Sequence, residues 1–367
     1  MQNSTYLKKI SKFSVFFIAN IILLFVISLS TIYSATITKS EPFFIKEIIW
    51  FILGLIVFVV VSLIDYRKYY KYSMAIYIFN IIMLLSVLVI GTSRLGAKRW
   101  IDLGPLALQP SEFSKLLLIF TFSAYLINNY SDKYTGFKAM FMCFLHIFPV
   151  FFLIAIEPDL GTSLVIILIY GMLLFLNKLE WKCIITVFAS IAGLIPIAYK
   201  FLLKEYQKDR IDTFLNPESD ALGTGWNITQ SKIAIGSGKI FGKGFLNNTQ
   251  GKLKYLPESH TDFIGSVFLE ERGFIGGSML LLIYIVLLAQ ILYIADTTQD
   301  KFGKYVCYGV ATIFFFHIFV NMGMIMGIMP VTGLPLLLMS YGGSSLVFSF
   351  LILGVVQSVK ILSLIHI

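Results

Sequence analysis

The residue whose position most favours chemistry is Asp262, which ends the polar stretch LPESHTDF at residues 256–263 before an apolar run. A carboxylate at the mouth of an apolar helix can act as a general base or orient a nucleophile. His260, two residues earlier, can serve as an acid or base, or it can hold the loop through hydrogen bonds. The structural alternative for Asp262 is that it caps the helix that it precedes.

Two more ionisable clusters lie at the ends of apolar runs. Glu112 and Lys115 are three residues apart, which places them on one face of a helix as an ion pair. The sequence EPDLGT at residues 157–162 predicts a tight turn, in which Asp159 either caps the next helix or takes part in a site. Both interpretations stay open at this point.

The region from residue 236 to residue 272 contains a glycine-rich segment and two adjacent carboxylates. Residues 236–244, GSGKIFGKG, include Lys239 and Lys243, so backbone amides and ammonium groups could approach a phosphate. Because the spacing is not that of a P-loop, a flexible surface turn is the favoured interpretation. Glu270 and Glu271 are interpreted as solvated charges in the first turn of a helix.

The amino-acid composition indicates whether these residues are surrounded by water or by a lipid bilayer. Of 367 residues, 57% are hydrophobic and 13% are charged, against roughly 25% charged for a soluble domain. The net charge of +9 comes from Lys and Arg scattered over short loops, without the basic stripe that nucleic-acid binding requires. The three cysteines have no metal-ligand spacing and are interpreted as packing residues. The chain is therefore predicted to be a membrane protein that does not bind nucleic acid.

Apolar runs long enough to cross a bilayer recur along the whole chain. The ten runs lie near residues 13–34, 46–64, 72–92, 111–128, 139–156, 160–177, 182–201, 272–295, 304–327 and 341–362. They predict an all-α integral membrane protein, a polytopic bundle of about ten transmembrane helices in a single domain, 1–367. The first run resembles a signal peptide but is too long, so we expect it to remain as an anchor.

The orientation follows from the cations in the short loops, which accumulate on the cytoplasmic side. Lys and Arg are concentrated before the first run and in every second connection after it, which places both termini in the cytoplasm. The long loop 202–262, between the seventh and eighth helices, is then extracytoplasmic. The polar clusters around Glu112, Asp159 and Asp262 emerge on that same side, together with the Pro- and Gly-rich stretch 330–345. Such a density of helix breakers predicts non-helical backbone lining a cavity.

These segments resemble the signature motifs of the SEDS family, the RodA, FtsW and SpoVE proteins. The matching motifs are RWIDLGP at 99–105, QPSEF at 109–113, EPDLGT at 157–162, LPESHTDF at 256–263 and TGLPLLLMSYGGSS at 332–345. Within the family the chain is most similar to RodA, through DRI at 209–211, QSKIAIGSG at 230–238 and TQ at 249–250. The resemblance covers nearly the whole chain.

The resemblance implies a peptidoglycan glycosyltransferase of the bacterial cytoplasmic (inner) membrane, active on its outer face. Such an enzyme polymerises lipid II into β-1,4 glycan strands during rod-shaped elongation, by inverting displacement of undecaprenyl pyrophosphate. Its expected partners are a class B penicillin-binding protein, the elongation machinery and membrane lipids. Asp262 is the expected general base or the group that orients the acceptor.

The other implied site residues bind substrate. Lys115, Arg210, Lys239 and Lys243 are the candidate cations for the departing pyrophosphate, and Trp100 is either an aromatic platform or an interfacial anchor. The remaining expected substrate-binding residues are Glu112, Asp159, Glu258 and His260. A bound Mg²⁺ or Mn²⁺ is a further option, although the sequence contains no dedicated metal cage. A lipid II flippase, an FtsW-like division polymerase and a non-catalytic scaffold are the alternatives.

Overall fold

The computed structural model describes residues 12–94, 97–103, 106–130, 136–157, 159–187, 189, 205–216, 223–253, 255–257 and 259–363. Helices dominate these residues. The first seven are α1 (Val15–Thr36), α2 (Phe43–Leu63), α3 (Arg67–Lys71), α4 (Ser73–Ile90), α5 (Pro110–Tyr130), α6 (Phe137–Ile156) and α7 (Leu160–Leu176). The next six are α8 (Glu205–Leu215), α9 (Thr224–Gly238), α10 (Thr249–Lys252), α11 (Ile264–Thr297), α12 (Lys301–Ile325) and α13 (Gly343–Ser363).

The prediction of an all-α polytopic membrane bundle is confirmed. Among the described residues, seven helices are long and apolar enough to cross a membrane: α1, α2, α4, α6, α11, α12 and α13. The predicted fourth and sixth spans correspond to α5, which carries charge, and to the shorter α7. Most of the predicted span 182–201 lies outside the described residues, so the count of ten is not confirmed.

The helices differ in how deeply they are buried. In α12 and α13, 72% and 78% of the span is buried, against 17% for both α2 and α4, so α12 and α13 form the centre of the bundle. Close helix packing uses small residues, as is common in membranes. A Cβ at Gly354 of α13 would lie 2.9 Å from the Phe58 carbonyl oxygen of α2. The least buried helices, α2 and α4, lie on the outside of the bundle, where they face lipid.

A small antiparallel sheet joins α4 to α5. Its strands are β1 (Thr92–Arg94), β2 (Ala97–Leu103) and β3 (Leu106–Leu108), in the order β1-β2-β3. Trp100 pairs with Thr92, and Ile101 pairs with Leu108. The sequence predicts only a loop here, because β1 and β3 have three residues each and β2, AKRWIDL, does not alternate apolar and polar residues. The sheet carries Trp100 at the pole of the bundle where α5 begins.

The helix that follows Asp262 begins earlier than predicted and bends at Gly273. The apolar run predicts a helix over 272–295, whereas α11 starts at residue 264. Gly273 adopts φ 65°, ψ −164°, and the glycine-rich segment lies against this bend. The amides of Phe274 and Ile275 donate to the carbonyls of Lys239 and Ile240, at 2.9 and 3.1 Å. A bend that frees helix amides is thus compensated by a neighbouring loop.

Residues 236–244 are therefore neither a flexible turn nor an open phosphate cradle. Gly242 has φ 81°, and a Cβ there would overlap the Glu271 carbonyl. The Lys243 amide donates to the Glu270 carbonyl at 3.0 Å. Glycine is required here because the two backbones touch, which corrects the interpretation of the segment as a flexible surface turn.

Candidate active site

A non-helical segment, residues 330–342, crosses the end of the bundle between α12 and α13. Its carbonyl oxygens need donors, because buried backbone groups in a membrane protein must be hydrogen-bonded. Side chains from three helices supply them: Ser28 to Met339, Tyr284 to Leu337, His317 to Pro335 and Asn321 to Leu334, at 2.8, 2.8, 2.9 and 2.9 Å. The predicted non-helical backbone is confirmed, and its shape depends on these four donors.

Asp262 lies in the turn that leads into α11, facing this segment. The N-cap of α11 is Phe263, without a side-chain capping bond, so Asp262 does not occupy the N-cap position. The Asp262 side chain is half-buried, and its Oδ2 lies 3.9 Å from where a Cβ on Gly333 would stand. Asn321 Nδ2 donates to the Asp262 carbonyl at 2.9 Å as well as to Leu334. One amide thus fixes the carboxylate-bearing turn against the non-helical segment.

His260 holds the other side of the same turn. Its carbonyl accepts a hydrogen bond from the Tyr341 amide at 2.9 Å. Its ring packs edge-on against Phe43, with centroids 4.8 Å apart, and its Nδ1 lies 3.0 Å from Lys39 Nζ. Lys39 belongs to the connection between α1 and α2, and no sequence motif singles it out. A cation in an otherwise ordinary short loop gives no signal that it meets this turn.

The predicted ion pair between Glu112 and Lys115 is present and buried. Lys115 Nζ lies 2.9 Å from Glu112 Oε1, and the lysine side chain has no solvent exposure. Lys115 also donates to His317 Nε2 at 3.0 Å, while His317 Nδ1 donates to the Pro335 carbonyl. Such a buried charge is tolerated only when it is paired and hydrogen-bonded. Glu112 and Lys115 are therefore linked through His317 to the Pro335 carbonyl of the segment 330–342.

Asp159 is the N-cap of α7. It accepts hydrogen bonds from the Thr162 amide and hydroxyl, from Ser111 Oγ and from Gln109 Nε2, at 3.2, 2.9, 3.1 and 3.0 Å. Arg99 Nη1 adds an ionic contact at 4.0 Å. Asp159 is only 4% exposed. The capping interpretation is confirmed, and this carboxylate ties α5, α7 and the sheet together.

The turn at Asp159 continues to the non-helical segment and to the sheet. A Cβ at Gly161 would lie 2.9 Å from Leu334 Cγ, so α7 begins in direct contact with that segment. On the other side, Arg99 Nε donates to the Glu157 carbonyl at 3.0 Å, next to the half-buried Trp100. Burial raises the pKa of Glu157 to about 8, and Asp159 raises it while Arg99 lowers it. The end of α6 that carries Glu157 is thus buried and tightly packed.

The other predicted site residues lie away from the segment 330–342 or outside the described residues. Lys243 Nζ pairs with Glu270 Oε1 at 2.7 Å, and Lys239 is exposed at the end of α9. Both lie near the Gly273 bend, roughly 14 Å along α11 from its start at 1.5 Å per residue. Arg210 belongs to α8, but its side chain is not described, and Glu258 lies outside the described residues.

Glu270 and Glu271 are not the solvated charges that the sequence predicted. They are 0% and 3% exposed. Glu270 accepts from the Thr249 amide at 3.0 Å, and Glu271 accepts from Asn248 Nδ2 at 2.9 Å and from the Ser34 hydroxyl. The prediction is wrong because it begins the helix at the charges themselves, whereas α11 already runs for residues 264–269, about one and a half turns, before them. These carboxylates anchor the loop to the bundle.

The structure therefore collects Asp262, His260, Glu112, Lys115 and Asp159 around the segment 330–342, with Trp100 at the edge. No group of three or more His, Cys, Asp or Glu side chains in the described residues is placed to hold a metal ion. The arrangement offers one half-buried carboxylate on a firmly held turn. It can accept a proton from a hydroxyl that approaches from the end of the bundle.

The fold and the residues around the segment 330–342 define a class, that of multi-pass membrane proteins with a cluster of buried and half-buried ionisable side chains at one end of the bundle. The chain belongs to the cell cycle protein family of FtsW, RodA and SpoVE, which it matches over residues 9–363. It is 42% identical over 310 residues to the peptidoglycan glycosyltransferase MrdB of Escherichia coli strain K12, covering 84% of this chain and 82% of MrdB.

Solved structures of similar proteins agree with this family assignment. A structure described as a peptidoglycan synthase complex that coordinates polymerization and crosslinking contains a chain that matches with a TM-score of 0.82 and 28% identity, over 95% of this chain and 97% of that one. The RodA crystal structure from Thermus thermophilus matches with a TM-score of 0.70 and 26% identity, over 95% and 96%.

Proposed function

We propose that this chain is a peptidoglycan glycosyltransferase that polymerises lipid II, with Asp262 as its general base. The observation that supports this most directly is the half-buried carboxylate of Asp262, on a turn whose Asp262 backbone carbonyl accepts a hydrogen bond from Asn321. The chain is also 42% identical to a named peptidoglycan glycosyltransferase. A flippase would need no such carboxylate, only alternating access to a substrate cavity.

The proposed reaction is a displacement with inversion at the anomeric carbon. The oxygen of the acceptor 4-hydroxyl forms a bond to C1 of the donor sugar, and its proton passes to the Asp262 carboxylate. The bond from C1 to the phosphate oxygen breaks, and its electron pair leaves with undecaprenyl pyrophosphate. General-base catalysis of this kind contributes roughly 10²- to 10⁴-fold to a rate.

The binding roles divide between shaping the site and contacting substrate. Glu112 and Lys115 pair with each other, and Asp159 caps α7, so these three are proposed to shape the site rather than contact substrate. Trp100 and His260, at its edge, are proposed to contact sugar or lipid. The four other residues are proposed to bind substrate from the long loop 202–262: Arg210, Lys239, Lys243 and Glu258. Lys243 also pairs with Glu270. The described residues contain no group of three or more His, Cys, Asp or Glu side chains arranged to hold Mg²⁺ or Mn²⁺, so no step of the proposed reaction is assigned to a metal ion.

The setting of the enzyme is proposed on the same grounds. We place both termini in the cytoplasm, and the Asp262 end of the bundle on the outer face of the inner membrane. The proposed partner is a class B penicillin-binding protein, since one of the similar solved structures is a complex that coordinates polymerization with crosslinking. The chain is proposed to be one domain with an outer loop at 202–262, acting in cell elongation.

The test is reconstitution in liposomes with labelled lipid II and with the partner's transpeptidase blocked. Wild type, Asp262→Ala, Asp262→Asn and the control Asp296→Asn are compared. Asp296 is an exposed carboxylate at the opposite end of α11, paired with Lys304 at 3.7 Å. We expect glycan chains from wild type and from the control, and a loss of at least about 100-fold in both Asp262 variants.

Two results would contradict the proposal. Lipid II that crosses the bilayer without forming chains would identify a flippase. Full polymerisation by Asp262→Asn would show that Asp262 is not the general base. Depletion of the protein in cells separates elongation from division, because loss of rod shape indicates elongation and long filaments indicate division.

A further inference from the structure

We propose that two adjoining cavities at the end of the bundle opposite Asp262 bind the headgroup of an aminophospholipid, with Arg67 at its phosphate and Asp300 at its primary ammonium group. The cavities have volumes of about 260 and 290 Å³, and Arg67 and Asp300 line both of them. The ligand is a lipid of the surrounding membrane and takes no part in the proposed reaction.

The cavities lie at the level where several spanning helices end. α11 begins beside Asp262 and ends 34 residues later at Thr297, about 50 Å along the helix at 1.5 Å per residue. α12 begins at Lys301 and α13 ends at Ser363, and these helix ends line the cavities together with that of α11. Since the helices cross the bilayer core, their ends lie at its boundary with water, where phospholipid headgroups are found.

The walls of the cavities combine apolar and polar side chains. Ile127, Phe302 and Leu362 supply apolar surface. Thr297 and Gln299 are exposed and add hydrogen-bonding groups. A headgroup needs polar walls, and the glycerol and first methylenes of a lipid benefit from apolar ones. A lipid is therefore the occupant that fits both kinds of wall.

Arg67 is suited to bind the phosphate. It is exposed, its guanidinium carbon lies 5.9 Å from the centre of the Tyr66 ring, and the Tyr66 hydroxyl interacts with it. A guanidinium has five N–H donors in a planar fork, so one contact with a hydroxyl leaves donors for two phosphate oxygens. None of the ion pairs among the described residues includes Arg67, so a phosphate has no carboxylate to displace.

Asp300 supplies the opposite charge. It is the N-cap of α12, and its Oδ2 accepts from the Gly303 amide at 2.9 Å. The Tyr66 hydroxyl interacts with this carboxylate as well. Because a carboxylate has about four acceptor positions, these contacts leave room for donors from a ligand. Asp300 is half-buried, so its charge attracts a cation more strongly than that of a fully solvated carboxylate.

A cation and a carboxylate on the same cavities match a headgroup that carries both charges. The phosphate of phosphatidylethanolamine meets Arg67, and its ammonium group donates to Asp300. Phosphatidylglycerol has no positive charge to place at Asp300. Phosphatidylcholine carries methyl groups where a primary ammonium has hydrogens, so it cannot donate to the carboxylate. The ethanolamine headgroup is the one that uses both residues.

The test compares phosphatidylethanolamine, phosphatidylcholine and phosphatidylglycerol with identical acyl chains. Each lipid is titrated into the full-length protein in detergent, and native mass spectrometry measures the lipid-bound fraction. We expect wild type to bind phosphatidylethanolamine about tenfold more tightly than either of the others, as for one hydrogen bond between charged groups. Soluble phosphoethanolamine, added as a competitor, should bind at least about tenfold more weakly than the lipid, because it lacks the apolar part.

Two substitutions separate the two charges. Asp300→Asn keeps a good N-cap residue but removes the charge, so it should bind phosphatidylethanolamine no more tightly than phosphatidylcholine. Arg67→Gln should bind all three lipids about tenfold more weakly, because each has a phosphate. The controls are Lys138→Gln and Glu180→Gln, which remove exposed charges at the same end of the bundle that line neither cavity. Both controls should bind the three lipids as wild type does.

Several results would overturn the inference. Equal binding of the three lipids by wild type refutes it without any variant. A preference for phosphatidylglycerol would mean that the cations Arg67 and Lys301 dominate the cavities and that Asp300 recognises no ammonium group. An ethanolamine preference that persists in Asp300→Asn, or an equal loss in the controls, also refutes it. Phosphoethanolamine that binds as tightly as the lipid would identify a site for a soluble ligand. None of these results depends on polymerisation of lipid II, so the proposed function is tested separately.

Discussion

Replacing Asn321 by leucine should disable the site without removing any group that touches substrate. Asn321 Nδ2 donates to two carbonyl oxygens, those of Asp262 and Leu334, and the side chain is fully buried. Leucine has a similar size but no donor. The substitution therefore removes the donor to both carbonyl oxygens and the link from the Asp262 end of the turn to Leu334, while the hydrogen bond between the Tyr341 amide and the His260 carbonyl remains.

The size of the effect follows from these contacts. Each buried acceptor left without a partner costs about 1–3 kcal/mol, so the two together cost about 2–6 kcal/mol. Asn321 Oδ1 has no hydrogen-bond partner, and removing that buried oxygen returns about 1–3 kcal/mol. We expect a net destabilisation of about 1–3 kcal/mol. The rate should fall by more, since a misplacement of about 1 Å in a reacting group can cost roughly 100-fold.

The assay pairs thermal unfolding in detergent with lipid II polymerisation. Asn80→Leu is the matched control, because Asn80 of α4 is also fully buried and neither of its amide atoms has a partner. Asn321→Asp should be worse than Asn321→Leu, since it sets a carboxylate against two carbonyl oxygens. If Asn321→Leu polymerises lipid II at the wild-type rate, the positioning argument is refuted, whatever happens to its stability.

Three further outcomes are expected. Burial raises the pKa of Glu157 to about 8 from 4.5, so the folded state holds a proton that the unfolded state has lost, and stability should fall as pH rises from 5 to 8. In Glu157→Gln that slope, up to about 5 kcal/mol over the whole range, should disappear from unfolding measurements at each pH. Gly273→Ala should detach residues 239–244 from the bend, seen as faster proteolysis there, whereas Gly236→Ala, with open space around its Cβ position, should not. Lys115→Met should destabilise by about 3–5 kcal/mol by leaving a buried carboxylate unpaired, and Glu112→Gln in the same chain should recover part of the loss.

The opposite results would each identify a different physical cause. An unchanged pH slope in Glu157→Gln would mean that Glu157 is ionised in the folded protein. Equal proteolysis in the two glycine variants would mean that the backbone contact at the bend is not what holds the loop. A double variant no more stable than Lys115→Met would show that Lys115 stabilises the fold through His317 rather than through Glu112.

The membrane bundle could largely be predicted from the sequence, because an apolar run of about twenty residues matches the thickness of a bilayer core. The Asp159 cap and the pairing of Glu112 with Lys115 could also be predicted, since both depend on contacts within a few residues. The non-helical segment was indicated by its density of Gly and Pro. Local rules were sufficient wherever the physical cause was local.

The remaining features depend on contacts between distant segments. The two buried carboxylates of α11 looked solvated, because their partners Asn248, Thr249 and Ser34 come from other parts of the chain. The glycines near residue 240 looked flexible, because only the bend at Gly273 requires them. Lys39 gave no signal at all, since its partner lies 221 residues away in sequence.

The four side chains that bind the carbonyls of residues 330–342 also set an order of assembly. Helices of a membrane protein insert first and pack afterwards. The donors come from α1, α11 and α12, so this stretch has no fixed shape until all three have met. The turn of Asp262 depends on the same meeting through Asn321. The site is thus completed in the last steps of folding, and a half-assembled chain in the membrane carries no competent catalytic centre.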